Sequence, residues 1–508
     1  MRFPARPAAL LAALVALVAS GLTVATGVPA QAASGSHHSH SNGNSPSLAK
    51  LPQISKKTGA DGYGDTRGDA TMYMRRLALS YDHLRGDARV QARASLARPQ
   101  LQGERELCST TVPICVHYAT SGADRPGGPI TPTLVLNTLQ RIYNIYKASG
   151  YRMPESDGAR GGDSRTDIYL ANIGSQGYYG YCAPDPNPGS NAHHTPAFCV
   201  LDNDYAEFAS GTPITNLDVT AAHEFFHAVQ FSYDATEDPW FMESTAVWME
   251  DEVFDAINDN VQYLPFGPLG KPRQSLDKKT TFGVYGGWIF FRWVTEHRPQ
   301  LTGDLPTIIL SMWQRAASNG YGKDRYSLQA VKSAMKAAHL PMRTAFAKFA
   351  AANRDPAHTY SEGAANHYPV AKPTKRFKLR TTHRTSGSVR IDHLAAATER
   401  FVPKGKKFKR KKAKLHLTVN MANKSHGSGA VVTVFLRHGK TKVKNVRLSK
   451  TGNGAVTVPF STKKVKRVEL TMTNASTRMR CWVGGLFSCE GQPKDMRQLE
   501  KFSAQPRR

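Results

Sequence analysis

The sequence predicts an α+β protein, in which a mostly helical domain precedes a small all-β, sandwich-like domain. Before residue 373, apolar residues recur at helical spacing over several long segments. After it, short segments with period-two alternation are separated by Gly-containing turns, a pattern that favours antiparallel strands. A chain of 508 residues is too long for one hydrophobic core, so two or three domains are expected.

The first 33 residues have the layout of a secretory signal peptide. Arg2 and Arg6 precede an apolar run, and small residues follow up to an Ala-x-Ala cleavage site at Ala30–Ala32. The apolar run is short for a membrane span, and no later stretch is apolar enough to cross a bilayer. We therefore expect a secreted, extracellular protein without a transmembrane segment. Residues 34–68, rich in Ser, Gly, Asn and His, predict a flexible linker.

Helical periodicity defines the first domain, residues 69–372. Thr131 and Pro132 suit the N-cap and first position of one helix, and Asp218 is the expected N-cap of another. The segment 69–100 is either a pro-segment or the first helix of the domain. Short strands are expected at 167–171 and 197–201, on either side of the Gly- and Tyr-rich stretch 174–188, which predicts loop or strand edge. The predicted helices are 71–98, 131–148, 218–233, 240–256, 283–296 and 328–351.

Short alternating runs define the second domain, residues 373–491. The predicted strands are 414–421, 430–438, 443–448, 455–460 and 465–472. The charged residues 492–508 predict a disordered basic tail.

The six cysteines are few but even in number, as an oxidising compartment permits. They suggest three local disulfides, although six cysteines allow fifteen pairings and the sequence does not choose among them. The suggested pairs are Cys108 with Cys115, Cys182 with Cys199, and Cys481 with Cys489.

The formal net charge of +28 at pH 7 raises the question of a polyanionic partner. Much of the excess lies late in the chain, notably in the Lys- and Arg-rich stretch 404–414. No nucleic-acid-binding motif accompanies it, so no nucleic-acid partner is expected. A solvated basic face accounts for the charge, and the same field would attract anionic cell-wall polymers.

The strongest chemical signal is the motif His223-Glu224-Phe-Phe-His227 within an otherwise apolar helix. Side chains at positions i and i+4 share one helix face, so both imidazoles can bind the same metal ion. Glu224 lies beside that face, where its carboxylate can act on a water molecule without being a ligand. Burying two His and a Glu in an apolar helix would be costly without such a partner. The motif therefore predicts a zinc site.

A catalytic zinc site needs a third protein ligand and one open position. Glu243 is the predicted third ligand, because it opens a helix beside an apolar stripe and so faces the interior. Asp234, Glu237 and Asp238 lie in a polar stretch and are expected to be water-exposed connector residues. Glu250 and Asp251 are expected to be exposed charges or groups that contact a ligand, rather than ligands themselves.

These residues resemble the gluzincin group of zinc peptidases, whose third ligand is a Glu on a second helix. His-Glu-Phe-Phe-His-Ala-Val-Gln-Phe with Trp-Met-Glu-Asp-Glu is more closely similar to a family of secreted bacterial metalloproteases, over roughly residues 70–490. The resemblance implies a zincin-like catalytic domain in which His223, His227 and Glu243 bind Zn²⁺ and Glu224 is the general base. Gluzincins often carry an Asp or Glu four residues after the third ligand. Val247 stands there, so the resemblance does not identify the group that orients the histidines.

The expected activity is zinc-dependent hydrolysis of peptide bonds in a protein or peptide substrate. Zinc polarises the scissile carbonyl and lowers the pKa of water, and Glu224 passes a proton to the leaving amine. Tyr285 is the candidate donor to the oxyanion, with His297 a weaker one. The alternative is a non-catalytic cell-wall or surface-associated binding protein, in which the basic β domain is the working part and the zinc site is vestigial.

Overall fold

A computed structural model describes residues 68–185, 193–280, 282–318, 325–410 and 412–507. The predicted signal peptide and the predicted linker, apart from its last residue, lie outside the described residues. The helices are α1 (Thr71–Ser80), α2 (Gly86–Ser95), α3 (Pro132–Ala148), α4 (Pro213–Asp234), α5 (Pro239–Val253), α6 (Gly283–Gly286), α7 (Trp288–Glu296), α8 (Thr307–Ala316), α9 (Ser327–Ala337), α10 (Met342–Ala352) and α11 (Pro356–Thr359).

The strands are more numerous than the sequence predicted. Those before residue 373 are β1 (Gly68–Asp69), β2 (Arg105–Cys108), β3 (Ile114–Tyr118), β4 (Thr166–Ala171), β5 (Tyr178–Pro184), β6 (Ala197–Asp202), β7 (Leu301–Thr302) and β8 (Leu305–Pro306). Those after it are β9 (Lys375–Leu379), β10 (Thr385–Ile391), β11 (Ala395–Pro403), β12 (Lys414–Asn420), β13 (Ser428–Leu436), β14 (Thr441–Asn445), β15 (Asn453–Pro459), β16 (Val465–Asn474), β17 (Met479–Arg480), β18 (Gln492–Pro493) and β19 (Gln498–Arg507). The α+β class is confirmed.

A mixed six-stranded sheet lies beneath the helices of the first region, in the order β1-β5-β6-β4-β3-β2. The sequence predicted two of these strands, β4 and β6. It left β5 as loop or strand edge, because Gly and Tyr are frequent there, but the strand pairs antiparallel with β6 along its length. The helix α4 packs against β5 and β6, and its other side meets α5. The sheet therefore supports the helix that carries the His-Glu-x-x-His motif.

Several helix boundaries differ from the predicted ones for identifiable reasons. The N-cap of α3 is Thr131, as predicted, with its hydroxyl accepting from the Leu134 amide. The predicted N-cap Asp218 is wrong, since α4 begins five residues earlier behind Thr212 and Pro213 in a capping box. The segment 328–351 is two helices, because Pro341 precedes α10 and ends the first one. The segments 71–98 and 283–296 are likewise each divided into two helices.

Two sheets form the β-rich region that follows. One has four strands in the order β10-β19-β12-β15, and the other has five in the order β14-β13-β16-β11-β9. Between them lies a separate apolar core that includes Phe401, Leu415, Leu470 and Phe502. The all-β character of this region is confirmed, and the five predicted strands are present with shifted ends. The strands β9, β10 and β11 were not predicted.

The prediction that residues 492–508 form a disordered tail is wrong. The strand β19 lies inside the four-stranded sheet and pairs antiparallel with both β10 and β12. Its alternation is the reason: Phe502 and Ala504 are buried, while Lys501 is exposed on the opposite face. Tertiary pairing thus orders a segment whose charges suggested a solvated tail.

The two regions share a buried junction. The helix α10 packs on the outer face of the five-stranded sheet. There Arg354 Nε donates to Glu469 Oε2 at 2.7 Å, with both side chains buried. Removing Glu469 would leave the buried Arg354 charge without this partner, which makes the pair an important contact between the regions.

A segment after β16 returns to the helical region. Its Cys489 lies in the helical core, and its backbone N–H donates to Asp238 at 2.8 Å. The prediction that Asp234, Glu237 and Asp238 are exposed connector residues is wrong, since all three are at most 5 % exposed. Each also has a partner distant in sequence, which local sequence patterns do not reveal: His193 for Asp234, Ser327 for Glu237, and Cys489 for Asp238.

All three suggested disulfides are present, with two of them joining adjacent strands. Within the described part of the chain, no helix combines the length and the apolar character needed to span a bilayer.

The strand β19 supplies a test of the fold through Glu500, a fully buried carboxyl whose pKa is raised by burial to about 7. The folded state then binds a proton that the unfolded state releases near pH 4.5, so this group lowers stability as pH rises from about 4.5 to 7. We expect Glu500→Gln to raise the free energy of unfolding by up to about 3 kcal/mol at pH 8 and by little at pH 4.5. Denaturant titrations at both pH values measure this difference. An equal gain in stability at the two pH values would contradict the raised pKa and burial of Glu500.

Candidate metal centre

Two consecutive helices bring the predicted ligands together. The helix α4 is 22 residues long and buried over nearly all of its second half, so its motif side chains lie inside the protein, with at most 5 % of each exposed. The helix α5 begins at Pro239 after a four-residue turn and packs against α4. This arrangement places Glu243, in the first turns of α5, beside His223 and His227.

The three predicted ligands converge on one point. The Nε2 atoms of His223 and His227 face each other 3.0 Å apart. One oxygen of Glu243, Oε2, lies 3.3 Å from the first and 3.7 Å from the second. Nitrogen ligands about 2 Å from a shared zinc ion lie about 3.3 Å apart in tetrahedral geometry. The spacing of the donor atoms is therefore that of a zinc site.

The opposite ring nitrogens explain why the Nε2 atoms are the donors. The Nδ1 of His223 is 2.5 Å from Glu250 Oε1, and the Nδ1 of His227 is 2.7 Å from Gln230 Oε1. Both partners present oxygens that can accept a hydrogen bond, and a proton on each Nδ1 would leave the lone pair of each Nε2 for a metal ion. Two lone pairs and a carboxylate oxygen directed at one point repel each other unless a cation lies between them.

Glu243 gives the clearest sign that these residues suit a cation. The residue is 1 % exposed, and neither carboxylate oxygen accepts a hydrogen bond from the described residues. A buried carboxylate without hydrogen bonds is strongly unfavourable, whereas coordination by a divalent cation satisfies it. A set of two imidazoles and one carboxylate is a donor set that zinc uses at catalytic centres. The residues present therefore fit a zinc ion.

The expected base is beside this site but is not one of the three ligands. Glu224 Oε2 accepts the hydroxyl hydrogen of Thr71 at 2.7 Å, and the Thr71 oxygen accepts from the Cys182 amide at 2.8 Å. A Cβ atom on Gly180 would lie 2.8 Å from Glu224 Cγ, so only glycine lets β5 approach this side chain so closely. The carboxylate is held between α1 and β5.

An open cavity of about 360 Å³ adjoins His223, one of the three candidate ligands. His223, Glu224 and Tyr285 line it, together with aromatic side chains that include Tyr179 and Phe282. The ring of Tyr285 stacks on that of His223 at a centroid distance of 6.1 Å. The weaker candidate, His297, is not part of this wall, and its Nδ1 lies 2.8 Å from the Trp293 carbonyl oxygen. Of the two candidate oxyanion donors, Tyr285 is therefore the one that lines the cavity beside His223.

Other groups of acidic or sulfur ligands do not match this one. Among the described residues, Cys108 and Cys115 are joined in a disulfide, and Asp251 is neutralised by Arg292 at 2.7 Å. In a third group, the Asp202 carboxylate accepts from backbone amides, including that of Tyr205 at 2.6 Å. The histidine-containing group is the one suited to zinc.

Of the two residues that contact the histidine Nδ1 atoms, Glu250 was one of the residues expected either to contact a ligand or to be exposed, and the structure places it against His223. Gln230 was not predicted. Glu250 stands seven residues after Glu243, two helical turns along the same face, and Gln230 stands one turn after His227. Gln230 is itself fixed, because its Nε2 donates to the Met242 carbonyl at 2.9 Å. Val247, where many gluzincins have an acidic residue, is fully buried in the core. Helical spacing from each ligand was the signal that could have found both orienting residues.

Burial raises the pKa of Glu250 to about 7, and its hydrogen bond to His223 opposes that shift. Asp259, which lines the cavity, also has a pKa raised by burial. The cavity is thus lined by two carboxyl groups, Glu250 and Asp259, with raised pKa values, so a cation bound beside them would favour their charged forms.

Glu250→Gln tests the orienting role. The variant keeps an acceptor for His223 Nδ1 but removes the negative charge, so zinc affinity should fall about 10- to 100-fold with the fold intact. Competition with a chelator of known affinity measures this change. Glu252→Gln, two residues along the same helix and paired with Arg292 rather than His223, is the matched control. A Glu250→Gln affinity equal to that of the control would contradict the role assigned to Glu250.

Comparison with known proteins adds little to this geometry. No protein-family model and no curated protein matches the sequence. Solved structures with some similarity include the pre-peptidase C-terminal domain of a Bacillus anthracis collagenase, which is 11 % identical in sequence. The match covers 27 % of this chain and 97 % of that domain, with a TM-score of 0.15. A second is PliG, a periplasmic inhibitor of g-type lysozyme from Salmonella Typhimurium, with 17 % identity, coverage of 26 % and 98 %, and a TM-score of 0.14. At these TM-scores neither similarity decides the fold or the function of this chain.

Proposed function

We propose that this protein is a secreted zinc-dependent peptidase of the gluzincin type. The observation that carries the proposal is the convergence of His223, His227 and the buried Glu243 carboxylate on one point, with Glu224 beside them at an open cavity. A site that served structure alone would use four protein ligands and would have no need of an adjacent carboxylate.

The division of ligands between two helices supports a zincin-like arrangement. Two histidines come from α4 and the third ligand from α5, as in the peptidases that the sequence resembles. The strand β5 runs beside α4 and brings Gly180 against Glu224. A peptide bound in the cavity that His223 and Glu224 line would meet both the proposed base and the proposed metal site.

A zinc ion held by these residues would polarise the carbonyl of a bound peptide and lower the pKa of water. The chain supplies the remaining functions. Glu224 accepts a proton at its carboxylate and returns it to the leaving amine, while the Thr71 hydroxyl holds that carboxylate in place. Tyr285, next to His223 on the cavity wall, is the proposed donor to the oxyanion.

The contact between Thr71 and Glu224 bears on whether α1 belongs to a pro-segment or to the catalytic region. The side chain of Met72 lies in the core, and Arg75 Nη2 donates to the Glu237 carbonyl at 2.6 Å. A helix that supplies a core side chain and a partner for the base belongs in the working enzyme. We therefore propose that α1 is the first helix of the catalytic region and is not removed as a pro-segment.

Zinc content and casein hydrolysis of the exported protein test the proposal together. We expect one zinc per chain, loss of hydrolysis after treatment with a chelator, and recovery on adding zinc back. Chelation should also lower the thermal unfolding midpoint, because the ion stabilises the folded state by mass action. A protein that binds no zinc would overturn the proposal. A zinc protein that cleaves neither casein nor a diverse peptide mixture would support the vestigial-site alternative.

A further inference from the structure

The positive charge of the chain is concentrated in the β-rich region. Residues 373–508 hold 33 Lys and Arg and 6 Asp and Glu, a net charge of +27, against +28 for all 508 residues. The preceding 372 residues are therefore close to neutral. A catalytic role at the metal centre gives no reason for this asymmetry.

The charge asymmetry is stronger at the protein surface, because most acidic side chains of the β-rich region are buried. Four of the six acidic side chains in this region are at most 9 % exposed. One of them, Glu469, is neutralised by Arg354, Arg400 and Arg467 inside the structure. The four buried acids are Glu399, Glu469, Asp495 and Glu500. The solvent around the β-rich region therefore meets almost only cations.

One face of the sandwich is covered and the other carries a groove. The helix α10 covers the outer face of the five-stranded sheet. On the four-stranded sheet, aligned residues of neighbouring strands form two polar rows, which we call the polar face. One row is Ser386, Ser503 and Thr418, and the other is Ser388, Lys501, Asn420 and Asn453. These residues line a groove of about 1040 Å³.

Three exposed cations accompany the hydroxyl and amide groups. Arg384, Arg447 and Lys501 line the same groove. The aromatic residue of the lining, Phe502, is 5 % exposed and belongs to the sandwich core. Single-stranded nucleic acid is usually held by exposed aromatic rings on which bases stack, and the described lining of this groove offers none. Cations with hydroxyl and amide groups suit instead a polymer that carries both anions and hydroxyls.

We propose that the polar face binds a polyol-phosphate polymer of the bacterial cell-wall type. Each phosphodiester offers two unesterified oxygens to a guanidinium or ammonium group and stays ionised wherever the protein is folded. The polyol between phosphates offers hydroxyls to Ser388, Thr418 and Asn420. The site anchors the protein to a wall surface, and it does not depend on the proposed peptidase activity.

The test compares two triple variants of the full exported chain with equal net charge. In the groove variant, Arg384, Arg447 and Lys501 are each replaced by Gln. In the control variant, Arg376, Lys442 and Lys444, exposed on strands of the other sheet, are replaced by Gln. Binding to purified poly(glycerol phosphate) is measured by calorimetry at physiological salt. We expect the groove variant to lose about tenfold in affinity or more and the control variant about twofold or less.

Equal losses in the two variants would overturn the proposal, because they would show general Coulombic attraction without a site. Tighter binding of polygalacturonate or of a single-stranded oligonucleotide than of poly(glycerol phosphate) would overturn it as well. Unchanged thermal midpoints show that both variants fold. Zinc content and casein hydrolysis, which should be unaffected in both, separate the fate of this proposal from that of the peptidase.

Discussion

Glu224→Gln should reduce peptide hydrolysis by about 10²–10⁴-fold while the protein still binds one zinc per chain. The amide keeps the size of the side chain and its acceptor oxygen for the Thr71 hydroxyl, so the local structure should persist. It cannot take up a proton at neutral pH, so the transfer from water to the leaving amine is lost. Metal analysis and casein hydrolysis on the same preparation measure both quantities.

Asp218→Asn is the matched control for this substitution. It lies on the same helix, is a carboxylate changed to its amide, and accepts from Thr138 away from the metal ligands. Its activity should stay within a factor of two or three of the wild type. Substantial activity in the Glu224→Gln variant would remove Glu224 from the role of base, whereas loss of its zinc would assign it a structural role instead.

Glu243→Gln should have opposite effects on metal binding and on the stability of the metal-free protein. Exchange of the anionic ligand for a neutral amide should weaken zinc binding by about 10²-fold or more. In the metal-free protein the same exchange removes a buried carboxylate that accepts no hydrogen bond from the described residues. The free energy of unfolding without zinc should therefore rise by about 1–3 kcal/mol.

Chelator competition gives the affinity, and denaturant titration with a chelator present gives the metal-free stability. A metal-free variant less stable than the wild type would show that Glu243 makes favourable contacts of its own. Wild-type zinc affinity in the variant would exclude Glu243 as a ligand. Glu252→Gln, on the same helix, is the control. It should not combine weaker zinc binding with greater stability of the metal-free protein.

Glu243 also shows how a functional side chain can be costly to the fold. Selection for stability alone would place an apolar residue at this fully enclosed position. A carboxylate at this position is explained if it binds a metal ion, because an ion that binds only the folded state adds its binding free energy to the stability of the fold. The proposed site and the stability of the catalytic region would thus be linked.

The proximity of the proposed metal ligands was predictable because its signal is local. His223, Glu224 and His227 lie within one helical turn, and Glu243 lies near the start of the next helix, where the apolar stripe indicates its inward face. Helix geometry alone turns such spacing into proximity. The Cys pairs were suggested for the same reason, since each spans at most 17 residues.

Contacts between distant segments were beyond the sequence. The Thr71 hydroxyl reaches Glu224 across 153 residues, and the Cys489 amide reaches Asp238 across 251. The strand β19 was assigned to a tail because its own composition is charged and its pairing partners lie about 80 to 120 residues away. Whether a segment forms an interior strand depends on the strands that pair with it, and the alternation of its own residues does not reveal those partners.

The sequence by itself determined the α+β class, the inward-facing His-Glu-x-x-His helix and the concentration of positive charge late in the chain, because periodicity, spacing and composition are local quantities. The tertiary structure alone decided which of the two alternatives holds for Glu250, that Gln230 contacts His227 and that Thr71 contacts Glu224. It also decided that a polar sheet face remains open while α10 covers the other. These contacts depend on which surfaces pack together when the chain folds. The burial of apolar area, which involves the whole chain, determines that packing.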